Sequence, residues 1–163
     1  MTIATQVTNT PVHITSSSSG MSVNSAILAP KKVNSLDVKY EPALLSSAAT
    51  GSINIDSTGP QVVYHSSASA NFSFNFRGNN TTTLASLLQT GQAITLAIVI
   101  NNDATPYYCT SVKIDGTTVS AKWAGGSAPS SGSASACDIY TFNILKLTST
   151  PTYLVLATVG AYS

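Results

Sequence analysis

Between Ala70 and Arg77 the chain reads ANFSFNFR, with Phe72, Phe74 and Phe76 alternating with Asn71, Ser73 and Asn75. Successive side chains of a strand point to opposite faces, so this spacing gathers three rings on one side and three small polar groups on the other. Such a strand needs a second layer to cover its rings. Three stacked phenylalanines can also serve as an exposed ligand platform, but a core stripe is the commoner use.

Similar patterns recur on both sides. Ile53 and Ile55 alternate before a turn at Asp56–Pro60, and Gln61–His65 is the next strand. Gly78-Asn79-Asn80 turns the chain, and Thr81–Thr83 supplies an N-cap for one short helix, Leu84–Thr90, stopped by Gly91. Gln92–Asn101 is apolar on both faces, which marks a central strand. Tyr107-Tyr108-Cys109 leads into Ser111–Ile114, and Asp115-Gly116 is a hairpin turn before Thr117–Trp123. Ala124–Ala136 is a loop of small residues, and Asp138–Leu147 and Thr152–Val159 are strands joined at Thr148–Pro151. About eight to ten short strands at roughly 8–12-residue spacing predict an all-β fold, a β-sandwich or jelly-roll-like body with one short helix.

The first fifty residues are less regular. Thr2–Thr8 and Val12–Thr15 read as short strands, and Ser16–Gly20 as a flexible run. Leu36, Val38 and Tyr40 alternate until Pro42, which cannot donate to a ladder, ends the pattern. Leu44–Thr50 has no assignable pattern. The expected organisation is an N-terminal arm over 1–50, for assembly or docking, and a β-sandwich module over 51–163.

Composition limits the functions open to such a chain. Its 163 residues suit one domain with an arm. Charged residues make up 8%, against about 25% in typical soluble domains, and Ser and Thr supply roughly a quarter of the chain. A net charge of +1 gives no field for nucleic acid, and Lys31–Lys32 reads as a solvated turn. The longest near-continuous apolar run, Ala93–Ile100, is far short of the ~20 residues of a membrane helix. The opening MTIATQVTNTPVHIT has neither the basic nor the apolar region of a signal peptide. Two cysteines, Cys109 and Cys137, make no disulfide framework and are expected as reduced thiols.

Groups for catalysis are few. The acids are Asp37, Glu41, Asp56, Asp103, Asp115 and Asp138, most of them beside turns where Asp bonds the backbone. His13 and His65 have no metal-ligand spacing. Cys109 with His65 could form a thiol and its base, but a small apolar filler thiol is the simpler reading. Asp56 and Asp103 lack the dense oxygen spacing of a calcium loop. The expectation is no catalytic residue, no metal and no cofactor. Tyr107 and Tyr108, after Pro106, form a possible recognition surface for sugars. Trp123 beside Gly125-Gly126 reads as a packing anchor, with Phe72, Phe74, Phe76, Tyr140 and Phe142.

Several segments together resemble a β-rich module of tailed-bacteriophage virion proteins, of the kind found in phages of marine bacteria and cyanobacteria. They are TGQAITLAIVINN at Thr90–Asn102, TPYYCTSVKIDG at Thr105–Gly116, KWAGGSAP at Lys122–Pro129, DIYTFNILK at Asp138–Lys146 and TYLVLATV at Thr152–Val159. The likeness covers Phe72–Val159, and no single motif within it is diagnostic. Cys109 and Cys137 stand where that family carries small residues or proline, so they inherit no role.

The resemblance implies a non-enzymatic structural protein on the particle exterior, as capsid decoration or in a tail fibre or tail tip. It further implies a homotrimer, contacts with other capsid or tail proteins, host surface glycans as a further partner, and no nucleic acid or membrane partner. Such a protein assembles in the host cytoplasm and leaves with the virion on lysis. Apolar residues of 21–50 would then be buried against neighbouring subunits or another virion protein. The alternative is a carbohydrate-binding module or adhesin recognising surface glycans.

Overall fold

The computed structural model describes residues 43–46 and 49–163. Consecutive strands in it rarely lie side by side. β1 (Ala43–Ser46), β3 (Val62–His65) and β5 (Ala93–Asn101) belong to one sheet, while β2 (Ala49–Asp56), β4 (Ala68–Arg77) and β6 (Cys109–Ile114) belong to the other. The chain changes sheet at every step, so each strand pairs in parallel with the one two places on. Parallel neighbours need a crossover connection, and here a strand of the opposite sheet lies within it.

After β6 the winding stops. Asp115-Gly116 turns the chain into β7 (Thr117–Val119), antiparallel to β6. Both turn residues have positive φ, 50° and 83°, which a type I′ turn requires and Asp-Gly tolerates. β8 (Ala121–Trp123) crosses to the first sheet and pairs with β10 (Tyr153–Tyr162). β9 (Cys137–Lys146) lies antiparallel between β5 and β10. The sheets are thus β1-β3-β5-β9-β10-β8 and β2-β4-β6-β7.

This is the all-β, two-sheet architecture that the sequence predicts, with one short α-helix, α1 (Leu84–Leu87), among the described residues. The likeness to a jelly roll extends to the facing sheets and not to the pairing, because the wound half is parallel. Thr117–Trp123 is not one strand: it breaks at Ser120, where the chain leaves one sheet for the other. α1 ends three residues before Thr90, because Leu88 is already extended (φ −89°, ψ 134°). Gly91 therefore belongs to a separate turn (φ 84°). The division expected at residue 51 falls inside β2, and β1 precedes it. Of the expected arm, residues 1–42 lie outside the described residues.

The core forms where β4 faces β9. Phe72, Phe74 and Phe76 and, from β9, Tyr140, Phe142 and Ile144 are all essentially without solvent contact. Phe74 sits 5.3 Å from Tyr140 and 5.5 Å from Phe142 between ring centres, both edge-to-face, and Phe76 lies 4.8 Å from Phe142. Burying one such ring stabilises by about 3 kcal/mol, and edge-to-face contact adds about 1 kcal/mol. Ile53, Phe74, Val112 and Val119 share one inward row across the second sheet. On the other side of that sheet Asn54, Asn75 and Lys113 line up, and Asn75 donates to Asn54 at 2.7 Å.

β5 is apolar on both faces because it is interior to the larger sheet. Its inward Leu96, Ile98 and Ile100 are buried, while Val99 on the outer face lies between Tyr64 and Ile139.

Candidate functional site

The inward row of β9 starts and ends on a charge: Asp138, Tyr140, Phe142, Ile144, Lys146. Asp138 and Lys146 are both buried, 2% and 7% exposed. A buried charge needs hydrogen-bonding partners. Lys146 Nζ donates to the Ala85 and Leu88 carbonyls at 2.6 and 2.8 Å, at the C-terminal end of α1. At the other end of the helix, Asp115 accepts from the Leu84 N–H at 2.7 Å and the Ala85 N–H at 3.0 Å. Thr83 adds the expected N-cap, accepting from the Ser86 N–H. These bonds satisfy backbone groups that a short helix leaves open. Tyr153, opposite Lys146 in β10, closes the same region, and its hydroxyl is buried with no hydrogen-bond partner among the described residues.

Asp138 fastens the other end of the sandwich. Its Oδ2 accepts from Asn102 Nδ2 at 2.9 Å and from the Ser133 N–H at 3.0 Å, and Asn102 Oδ1 accepts from the Tyr107 N–H. The loop after β5 is thereby tied to the loop before β9. Gly132 packs so close to the Tyr107 carbonyl that a Cβ would clash with it.

Tyr107 and Tyr108 are both half-buried. Tyr107 packs against the core, and the Tyr108 N–H donates to Asn71. Trp123 is half-buried and meets Tyr140 and Phe142 edge-on, with ring centres 6.3 and 5.9 Å apart. Beside it a shallow trough of about 390 Å³ is lined by Lys122, Trp123, Thr141, Asn143, Leu156 and Thr158. The sequence pointed to Trp123 as an anchor but not to this trough, because its lining comes from β8, β9 and β10. A second hollow lies at Asn75, Arg77, Asn80, Thr81 and Asp115.

The described carboxylates do not converge. Asp56 pairs with Arg77, Asp115 and Asp138 hold backbone and amide groups, and Asp103 is exposed in the loop after β5. No group of three or more His, Cys, Asp or Glu among the described residues could hold a metal ion. Cys109 is buried and unbridged, and its Sγ donates to the Ser111 carbonyl. Burial pushes its thiol up to about 11, the reverse of what a thiolate nucleophile needs. His65 is buried on the inward face of β3. His13, Asp37 and Glu41 lie outside the described residues. No described helix is long and apolar enough to cross a membrane.

In comparisons with family models, curated proteins and solved structures, nothing matches this chain.

Proposed function

We propose that this chain is a structural protein of a bacteriophage virion, displayed on the particle exterior as a homo-oligomer and without enzymatic activity. Its place is on the capsid as decoration or cement, or on the tail as part of a fibre. The observation that carries this reading is where the module leaves its apolar side chains. Leu156, Val159 and Tyr162 stand exposed along one strand, β10, with Leu156 in the wall of the shallow trough. Exposed apolar surface of this kind favours contact with another protein. The half-buried Asp115 and the buried Asp138 and Lys146 hold helix ends and loops in place, as a scaffold needs. The segments that carry the resemblance to phage virion modules fall on β5, β6, β9 and β10 and on the loop after Trp123.

The flanking genes and the particle itself test the reading. Capsid and tail genes on either side are expected, together with recovery of the chain from purified virions and its labelling by antibody on intact particles. Absence from purified virions overturns it.

The second reading is a carbohydrate-binding module or adhesin. The trough beside Trp123 favours it, since Thr141, Asn143 and Thr158 line it with polar side chains. Such a site binds neutral glycans, and Asn143→Ala weakens that binding.

A further inference from the structure

Among the described residues, β10 has a partner along only part of one side. β9 pairs with it without a break from Tyr153 to Tyr162, but β8 covers only Val155, Leu156 and Ala157. Beyond Ala157, no backbone hydrogen bond from the described residues reaches the β8 side of the strand. Alternation tells which groups are left there. The Leu147 N–H donates to the Thr152 carbonyl across the β9–β10 hairpin, whereas Lys146 bonds towards β5 through Gln92 and Gly91. Even-numbered residues of β10 therefore bond to β9, and odd-numbered ones face away. The N–H and C=O groups of Val159 and Ala161 are thus the ones turned to the open edge.

Natural edge strands are blunted by lysine, proline, a bulge or a cover. Thr158–Tyr162 reads TVGAY, without charge or proline, and its register with β9 is unbroken. The Tyr162 ring lies over Gly160, 3.4 Å from where a Cβ would stand, which keeps the glycine position extended and covered.

We infer that this edge pairs with the same edge of a second copy, antiparallel about a two-fold axis at Gly160. Val159 of each chain then lies opposite Ala161 of the other, and the four open groups on each side are satisfied by their counterparts. Gly160 meets Gly160 at the non-hydrogen-bonded position, where Cα atoms come to about 4.5 Å and a side chain would crowd the axis most. A second copy fits because a two-fold contact needs a self-complementary patch, and an uncharged run with two donors and two acceptors is one. The inference deepens the self-association in the reading above and rests on it only for the identity of the partner. The contact makes dimers, so a trimer would need a different surface.

The full chain is tested by sedimentation and by crosslinking. The wild type is expected as a dimer or an even multiple at micromolar concentration. Ala161→Pro, which removes an edge N–H that β9 does not use, halves the mass while the far-ultraviolet spectrum is kept. Val159→Lys does the same by placing charge at the edge, and serves if the proline variant fails to fold. In a Cys137→Ser background, Gly160→Cys forms a covalent dimer on diamide oxidation, since the spacing lies within the 4.4–6.8 Å of disulfides. Thr158→Cys in the same background does not. A monomeric wild type, an unchanged mass in both edge variants, or no crosslink from Gly160→Cys overturns the inference. An oligomer that survives the edge variants leaves the virion reading standing, and absence from virions leaves the edge contact standing.

Discussion

Asp115 and Lys146 hold opposite ends of the same four-residue helix. The carboxylate takes the Leu84 and Ala85 N–H groups, and the ammonium takes the Ala85 and Leu88 carbonyls. A helix this short has little stability of its own. Its place is set from outside, by one residue in a hairpin turn and one at the end of a strand.

Loss of either clamp is expected to destabilise the fold. Lys146→Met keeps most of the stem but removes both bonds to buried carbonyls, at a cost of about 1–3 kcal/mol. Asp115→Asn tolerates the positive φ and keeps one acceptor, at about 1 kcal/mol. The double variant should lose less than the sum, because both bonds restrain one element. Urea denaturation checks this, and an unchanged midpoint in both single variants rules the clamp out.

Phe74→Ala should be among the most damaging single changes to the core. The ring touches Phe72, Phe76, Tyr140 and Phe142 and is fully buried. Truncating such a ring costs about 3–5 kcal/mol, out of a typical total of about 5–15 kcal/mol. Trp123→Ala should cost clearly less, since that side chain is half-buried. Denaturation followed by circular dichroism gives the order, and a larger loss at Trp123 would contradict it.

Stability is expected to fall in alkali. Burial raises the Cys109 thiol from 9.0 to about 11. Burial also raises the Tyr140 phenol, against the opposing hydrogen bond from the Cys109 N–H. Both groups stay protonated in the fold at pH values where the unfolded chain has begun to release protons. Their contribution is complete below pH 9 and is lost as the pH climbs through 9 to about 11, and further for the tyrosine. Melting temperature from pH 8 upward measures it. Cys109→Ala should flatten the lower part of the decline, and an unaltered slope would remove Cys109 as a cause.

The two thiols should label at different rates. Cys137 is half-buried, while Cys109 is buried and held protonated. Iodoacetamide without reductant is expected to mark Cys137 first in the native chain, and both cysteines once it is denatured. No label after denaturation would mean a bridge.

The local part of this fold is legible in the chain. The spacing of Phe72, Phe74 and Phe76 gives one apolar face, and the rings do point inward. Asp115-Gly116 gives the two-residue turn, Thr83 the helix cap, and the doubly apolar Gln92–Asn101 an interior strand. Each of these depends on residues within a few positions of one another, so propensity and period suffice.

Tertiary structure decided the rest. All strands offer the same backbone donors and acceptors, so nothing within Ala49–Asp56 or Val62–His65 names its sheet or a parallel partner. That choice depends on which side chains fill the space between the sheets. The break at Ser120 is silent for the same reason, since either side of it reads as strand. Asp115 and Lys146 look like a turn residue and a strand end, yet their partners lie 30 and 61 positions away. The open edge of β10 is likewise a property of the assembled sheet. Thr158–Tyr162 has the same local pattern as a paired strand, and among the described residues β8 pairs with β10 only as far as Ala157.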